Sequence, residues 1–304
     1  MENNNYILKI ENLTKNYGKK TVIDNISLNI EKGKVYGFLG PNGAGKTTVI
    51  KMIVGLISIT KGNIYIEGFD TTKEKEKSLE NVGAIVENPD LYQNLSGYEN
   101  LKLFARMRNV NITRIDEVVE LVGLKDRIKD KVSKYSLGMK QRLGLAVTLL
   151  HKPKLLILDE PTNGLDPAGV KTLRDTLKTL AHKENVTVFV SSHMLSEIEL
   201  MCDKVAIIDK GKIIKVDSLE KTSDKVESET INYEFYISNN TKAIELLNNI
   251  ANVKLKNDCL YVEYNDKISN ILKILLENDI EIYEFTKKKN TLEDEFLKVT
   301  GGNK

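Results

Sequence analysis

The stretch Gly40-Pro41-Asn42-Gly43-Ala44-Gly45-Lys46-Thr47-Thr48 decides the fold of this chain. It has the spacing G-x-x-x-x-G-K-[ST] of a phosphate-binding loop. The apolar run 35–39 before it predicts a buried strand, and residues 49–56 after it predict a helix. Strand, glycine-rich loop and helix therefore follow one another in the order that a nucleotide phosphate site requires.

The residue types in this loop suit that task. Glycines let successive backbone N–H groups turn towards an anion, and a helix that begins near Lys46 adds its own unpaired N–H groups. Lys46 is expected to reach the β- and γ-phosphates, and the Thr47 hydroxyl to ligate Mg²⁺. The alternative, a glycine-rich turn with an incidental lysine, is disfavoured by the flanking strand and helix.

Composition narrows the class of protein. The chain has 304 residues, and 45 basic and 43 acidic residues give a formal charge of +2, so no global field favours nucleic acid. The length suits one large and one smaller domain. No apolar window is long enough to span a membrane, and residues 1–5 lack the features of a signal peptide, so we expect the chain in the cytosol. Cys202 and Cys259 have no metal-ligand spacing and are expected to be small apolar fillers.

Alternating apolar residues predict an antiparallel hairpin over 6–13 and 22–30, ahead of the phosphate loop. Tyr17 lies at its turn, where an aromatic usually packs, but the nearby loop makes an adenine platform the better interpretation. Residues 62–68 and 82–86 predict further strands, the second of which leads into Glu87.

The middle of the chain predicts a helical insertion over 98–123, followed by a helix that Ser136 caps. A core strand at 155–158 then ends in the carboxylates of Asp159 and Glu160. Further strands are predicted at 186–192, 205–208 and 212–216, and the first of them ends at His193.

In this order the motifs resemble those of ATP-binding cassette ATPases, the nucleotide-hydrolysing subunits of ABC transporters, over residues 6–217. The motifs that carry the resemblance are Tyr17, the phosphate loop, Glu87, the signature 136–139, Asp159-Glu160, the turn Asn163-Gly164-Leu165-Asp166 and His193. The resemblance implies an α/β fold with a mixed sheet core, an antiparallel β subdomain and a helical insertion.

Two departures from the family pattern narrow the choice of branch within the family. Glu87 stands where most of these ATPases have Gln, and the signature reads Tyr-Ser-Leu-Gly-Met rather than Leu-Ser-Gly-Gly-Gln. Both features resemble the ATPases of bacitracin-type and lantibiotic-type peptide exporters. The chain is therefore expected to hydrolyse ATP for export through separately encoded transmembrane permease subunits, at the inner face of the cell membrane.

The acidic residues have distinct expected roles. Asp159 is expected to ligate Mg²⁺ rather than merely cap a turn. Glu160 is the candidate general base, since the next residue of a strand points to the opposite face and can polarise water. Glu87 is a candidate metal ligand or auxiliary catalytic group, although we expect it mainly to couple the site to a membrane partner.

The remaining roles come from the resemblance. His193 resembles the switch that contacts the γ-phosphate and orients the attacking water, although a lone histidine usually has no such role. Ser136, Gly138 and Asp166 are implied to act at a nucleotide held by a second copy, in a head-to-tail dimer that ATP closes. Hydrolysis would then require two chains.

The last part of the chain predicts a separate accessory domain. We place the nucleotide-binding domain at 1–217, a polar linker at 218–229 and a small α+β domain at 230–304. The element order strand, helix, strand, strand, helix, strand is typical of a split βαβ, ferredoxin-like fold, and a capping motif at 291–294 predicts a final helix. This domain has no catalytic constellation, so a structural or dimerising role is preferred over ligand sensing.

A second class of function competes with the exporter hypothesis. Soluble ABC ATPases that remodel ribosomes or nucleic acid resemble this chain at the phosphate loop, but they typically carry two cassettes, whereas this chain has one set of motifs.

Overall fold

The computed structural model describes residues 5–219, 232–256, 258–263 and 268–288. The chain divides into two compact units, Met1–Glu220 and Lys221–Lys304. The predicted linker lies almost entirely outside the described residues, and so does the predicted final helix. Among the helices that are described, none has the length and apolar character needed to cross a bilayer.

The described part of the first unit contains ten strands. They are β1 (Tyr6–Tyr17), β2 (Lys20–Glu31), β3 (Val35–Leu39), β4 (Lys61–Ile66), β5 (Phe69–Asp70), β6 (Val82–Ile85), β7 (Leu155–Leu158), β8 (Thr187–Ser192), β9 (Lys204–Asp209) and β10 (Lys212–Ser218). One antiparallel sheet has the order β2-β1-β4-β5, and a mixed sheet has the order β10-β9-β3-β8-β7-β6. In the mixed sheet only β10 runs antiparallel to its neighbour. The predicted mixed core and antiparallel subdomain are confirmed.

Seven helices accompany these strands in the described part of the first unit. They are α1 (Lys46–Ile53), α2 (Lys75–Leu79), α3 (Gly97–Met107), α4 (Arg114–Leu121), α5 (Leu137–Leu149), α6 (Pro167–His182) and α7 (Leu195–Met201). The predicted helical insertion consists of two helices, α3 and α4. The break between them follows from Asn109, whose φ of +52° is incompatible with a continuing right-handed helix.

The topology brings the chemical motifs to one edge of the mixed sheet. Strands β3, β8, β7 and β6 are parallel neighbours, so their carboxyl ends coincide. Leu39 pairs with Ser192, and Leu158 pairs with Val190. The loops that follow these four strands carry the phosphate loop, His193, the two adjacent acids and Glu87. The register of buried strands therefore assembles the candidate site.

The described second unit is a four-stranded antiparallel sheet with two helices. Its elements are β11 (Asn232–Ile237), α8 (Asn240–Leu247), β12 (Asn252–Lys256), β13 (Cys259–Glu263), α9 (Ile268–Glu277) and β14 (Ile282–Lys288), and the sheet order is β12-β13-β11-β14. Helix α8 begins at Asn240 because the Asn239 side chain accepts a hydrogen bond from the Lys242 amide. The sheet and both helices share one apolar core.

Candidate functional site

The phosphate loop has the backbone geometry that its glycines predict. Gly43 and Gly45 have φ angles of +82° and +110°, outside the range that a side chain tolerates easily. Gly45 directly precedes α1, and the first-turn N–H groups of any helix lack intrahelical partners. The loop therefore ends in a set of donors suited to an anion.

Glycine is also required where the loop meets its neighbours. A Cβ atom on Gly40 would lie 2.3 Å from the carbonyl oxygen of Ile208, and one on Gly45 would lie 2.4 Å from a methyl carbon of Ile23. The Gly40 amide donates a 3.2 Å hydrogen bond to the Ser192 carbonyl. The loop is thus fixed against β2, β8 and β9.

Lys46 lies inside the loop, with only 5 % of its side chain exposed. Its Nζ atom donates to the carbonyl oxygens of Gly40 at 2.7 Å and Pro41 at 3.2 Å. The same atom lies 3.1 Å from Oε1 of Glu160. This ammonium therefore joins the phosphate loop to the acid that follows β7.

The serine at the end of β8 connects the two adjacent acids. Ser191 Oγ donates a 2.6 Å hydrogen bond to Oδ1 of the buried Asp159 and accepts a 2.9 Å hydrogen bond from the Glu160 amide. The strand alternation expected for these acids is wrong, because β7 ends at Leu158 and Glu160 has a left-handed φ of +48°. A turn, rather than a strand, separates the two carboxylates.

His193 completes the arrangement around Glu160. Its Nδ1 atom lies 2.6 Å from Oε2 of Glu160, opposite the contact of Oε1 with Lys46. Burial alone raises the pKa of Glu160, but the hydrogen bonds from His193 and Lys46 outweigh it, and the pKa falls below its usual value. Glu160 is therefore an ionised carboxylate at neutral pH.

A cavity of about 640 Å³ opens beside the phosphate loop. It is lined by ten of the predicted site residues and by four residues that were not among them. Its lining residues are Tyr17, Val22, Asn42, Gly43, Gly45, Lys46, Thr47, Thr48, Glu87, Asn88, Gln141, Asp159, Glu160 and Asn163. Nucleotide-sized ligands occupy cavities in this range of volume.

Two of the predicted residues form the outer edge of this cavity. Tyr17 is half exposed, and the Lys15 ammonium lies 4.9 Å from its ring centroid. Glu87 is exposed, has a left-handed φ of +65°, and places Oε1 2.7 Å from Nζ of Lys51. Neither residue contacts the buried acids through a described hydrogen bond.

Seven predicted site residues do not line the cavity: Gly40, Pro41 and Ala44 lie in the phosphate loop, His193 contacts Glu160, and the other three lie elsewhere. Ser136 and Asp166 cap helices instead, accepting hydrogen bonds from the Met139 amide at 3.2 Å and from the Gly169 amide at 2.8 Å. Gly138 lies in the first turn of α5. One chain alone therefore does not bring the signature to its own phosphate loop.

Gln141 lines the cavity but was not selected from the sequence, although its spacing from neighbouring leucines could have indicated it. It lies four residues after Leu137 and four before Leu145, on α5, yet it is polar and buried. Its Oε1 atom has no hydrogen-bond partner among the described residues. A buried amide with an open acceptor is typical of a side chain that serves a neighbouring site.

The donors in the cavity fit both ATP and Mg²⁺. The loop amides and Lys46 suit phosphate oxygens, and Tyr17 presents an aromatic face at the cavity edge. Thr47 and Asp159 supply a hydroxyl and a carboxylate, the oxygen ligands that Mg²⁺ takes alongside phosphate oxygens.

Comparison with known proteins agrees with this geometry. The ABC transporter family model matches residues 23–163. The uncharacterized ABC transporter ATP-binding protein YhcH of Bacillus subtilis is 50 % identical over 98 % of this chain and 97 % of its own length. The bacitracin transport ATP-binding protein BcrA of Bacillus licheniformis is 43 % identical over 97 % of this chain and 98 % of its own. The lantibiotic transport ATP-binding protein SrtF of Streptococcus pyogenes is 47 % identical over 73 % of this chain and 93 % of its own length.

Solved structures show the same fold. The cbiO1 protein of Clostridium perfringens, part of the ABC transporter complex cbiONQ, matches 71 % of this chain and 89 % of its own at a TM-score of 0.66 and 29 % identity. The dimeric cassette MJ0796, in a post-hydrolysis state with ADP and Pi, matches 71 % of this chain and 100 % of its own. The TM-score is 0.64 and the sequence identity is 23 %. With relatives this similar over nearly its whole length, the chain belongs to the ABC transporter ATP-binding proteins and is an ATPase.

Proposed function

We propose that this ATPase powers peptide export through separately encoded transmembrane permease subunits, in resistance or immunity to bacitracin-like or lantibiotic-like antibiotics. The observation that carries the proposal is the position of Glu160, whose carboxylate lies between Lys46 and His193 beside a phosphate loop. The names of the bacitracin and lantibiotic transport relatives support the substrate class.

ATP is bound by residues 40–48, with Lys46 at the β- and γ-phosphates and Tyr17 against the adenine. A buried lysine that already contacts two loop carbonyls is held where phosphate oxygens would approach. The half-exposed Tyr17 ring is free on one side to stack on a base, and the Lys15 ammonium lies near it.

Thr47 and Asp159, both of which line the cavity, would hold Mg²⁺. When bound, such an ion neutralises charge that develops on the phosphate oxygens. Ser191 restricts Asp159 by donating a 2.6 Å hydrogen bond to Oδ1, which leaves the other carboxylate oxygen available as a ligand. Glu87 is not needed in this ligand set.

Glu160 is the general base and His193 orients it. The ionised carboxylate can accept a proton from water once a phosphate takes over the contact with Lys46. The 2.6 Å contact with His193 then fixes the remaining oxygen, Oε2. Lys46 therefore holds the Glu160 carboxylate until a nucleotide binds, and nucleotide binding then frees this carboxylate to act as the base.

The second half of each catalytic site comes from another copy of the chain in a head-to-tail dimer. Ser136, Gly138 and Asp166 lie outside the cavity of their own chain, and Ser136 and Asp166 are exposed. The dimeric state of the structural neighbour MJ0796 supports this arrangement. ATP would then join two chains, and loss of the γ-phosphate would separate them.

The partners follow from this assignment. Permease subunits would hold the ATPase at the inner face of the cell membrane, and Glu87 would couple the nucleotide site to them. The C-terminal unit acts as a structural or dimerising appendage. Nucleic acid is not among the proposed partners, since the chain has a formal charge of only +2.

Co-expression with candidate permease subunits tests this proposal. We expect the chain to co-purify with them, and cells that express the set to survive a higher concentration of a bacitracin-like or lantibiotic-like peptide. A matched set carrying Glu160→Gln should co-purify but give no protection. Co-purification with ribosomes instead, without any protection, would contradict the exporter assignment.

A further inference from the structure

Helix α1 carries two lysines that contact two different acids. Lys46, at its first residue, lies 3.1 Å from Glu160. Lys51, five residues and about 7.5 Å further along the helix axis, lies 2.7 Å from Glu87. The helix that receives the nucleotide phosphates is therefore linked by ion pairs to the loop after β7 and to the loop after β6.

The second pair has features of a specific contact. Glu87 has a left-handed φ of +65°, immediately after Val86, and this turn directs its carboxylate towards α1. The hydrogen bond that Lys51 donates to Glu87 raises the pKa of Lys51, and the nearby charge of Asp159 adds to the effect. Lys51 is therefore a permanent cation close to both acids.

The acidic residues around the cavity indicate a role for the Lys51 ammonium. Glu87, Asp159 and Glu160 all line the cavity that is proposed to hold ATP. A glutamine in the place of Glu87 would add no negative charge, whereas a glutamate repels phosphate oxygens and competes for Mg²⁺. Lys51 is the described cation that contacts this carboxylate.

We propose that Lys51 is a positioning residue for Glu87, which holds the carboxylate away from the phosphates and ties the loop after β6 to α1. This inference rests on the proposed function, because it takes the cavity as the Mg²⁺-ATP site. It adds a route by which a nucleotide at the start of α1 affects the Glu87 loop. The competing explanation is an ordinary surface ion pair, which contributes almost nothing.

Four variants of the full-length chain separate these explanations: Lys51→Met, Lys51→Arg, Glu87→Gln and the double variant Lys51→Met/Glu87→Gln. Lys77→Met is the matched control, since Lys77 makes an exposed 3.2 Å ion pair with Glu74. The first measurement is ATP binding by calorimetry in EDTA, so that no metal takes part. The second is amide hydrogen exchange of residues 86–91 without nucleotide.

We expect Lys51→Met to weaken ATP binding about tenfold and to speed exchange in residues 86–91, because the carboxylate and its loop lose their restraint. Lys51→Arg should resemble the parent chain. In the Glu87→Gln background, Lys51→Met should have little further effect on ATP affinity, since the charge that it controls is gone. Lys77→Met should change neither quantity.

Two results would overturn the inference. Lys51→Met could behave like Lys77→Met in both measurements, or it could weaken ATP binding equally with and without Glu87, which would make Lys51 a direct nucleotide ligand. Failure of the proposed function is a separate outcome, because it would appear as absent ATP binding or absent protection with the parent chain.

Discussion

The nucleotide cavity has an inner edge at Lys46 and Glu160 and an outer edge at Lys51 and Glu87, and the two edges differ in how far their charged side chains are exposed to water. At the inner edge, the side chains of Lys46 and Glu160 are 5 % and 16 % exposed, and Lys46 also contacts two loop carbonyls. At the outer edge, the side chains of Lys51 and Glu87 are 32 % and 61 % exposed. Both edges use a lysine and a glutamate, but water competes for only one of the pairs.

The difference indicates which residues do chemistry and which adjust it. A buried charge must keep a partner, so Glu160 can leave Lys46 only when another anion replaces it. The exposed pair costs less to open than the buried one, so Glu87 can respond to a neighbouring protein while Lys51 positions it. Substitutions at the inner edge should therefore have larger effects on ATP turnover than substitutions at the outer edge.

Lys46→Ala should have the largest effect. It removes the buried ammonium from the phosphate loop and leaves Glu160 facing the phosphates without its counter-charge. We expect ATP affinity to fall about a hundredfold or more and hydrolysis to fall to background. Calorimetry and a phosphate-release assay measure the two effects. Unchanged ATP affinity, with Lys77→Ala as the control, would contradict the phosphate-loop assignment.

Glu160→Gln should stop turnover without loss of binding. The amide is nearly isosteric but cannot accept a proton from water, so we expect hydrolysis to fall roughly a hundredfold to a thousandfold. ATP should bind more tightly than in the parent chain, because the amide no longer competes with phosphate for the Lys46 ammonium. Single-turnover kinetics and calorimetry separate the two effects.

The same variant tests the head-to-tail dimer. With turnover stopped, Mg²⁺ and saturating ATP should keep two chains together, and light scattering should report a dimer. The parent chain under the same conditions should show less dimer, since hydrolysis separates the copies. A monomer in the Glu160→Gln sample would count against a shared catalytic site.

Tyr17→Ala tests the outer edge with an intermediate effect. Removing a stacking platform typically weakens base binding by 1 to 3 kcal/mol, so we expect about a tenfold loss of ATP affinity. Tyr17→Phe keeps the ring and should bind ATP like the parent chain. The rate at saturating ATP should be nearly unchanged in both. Equal affinity of the Ala and Phe variants would exclude stacking as the role of Tyr17.

Much of the inner edge was predictable because its residues follow buried strands. The spacing of Gly40 to Thr47 and the apolar run before Asp159 determine where phosphate and metal ligands lie, and the parallel register then brings them together. The left-handed turn at Glu160 was not predictable, because it depends on a hydrogen bond between its amide and Ser191, 31 residues away.

The outer edge was harder to predict because its contacts join exposed side chains from distant parts of the chain. Lys51 and Glu87 are 36 residues apart, and nothing in the local pattern of either indicates the other. Sequence reasoning identified Glu87 as a departure but did not find the lysine that accompanies it.

Glu87→Gln should have the smallest effect on the isolated chain, and it is the sharpest test of the difference between the two edges. In the proposed mechanism Glu160 supplies the base, and Thr47 and Asp159 supply the metal ligands, so the Glu87 carboxylate would add repulsion with little coordination. Hydrolysis by the purified variant should therefore stay within about twofold to threefold of the parent rate, far from the usual loss of a general acid or base.

In cells the same substitution should behave differently. If Glu87 couples the nucleotide site to the permease, Glu87→Gln should lower resistance to the peptide while ATP hydrolysis by the purified chain persists. Asp90→Asn, an exposed change in the same loop, is the matched control and should leave resistance unchanged. A tenfold or larger loss of hydrolysis in the purified Glu87→Gln chain, with its circular dichroism spectrum intact, would instead make Glu87 a catalytic or metal-binding residue and remove the distinction between the edges.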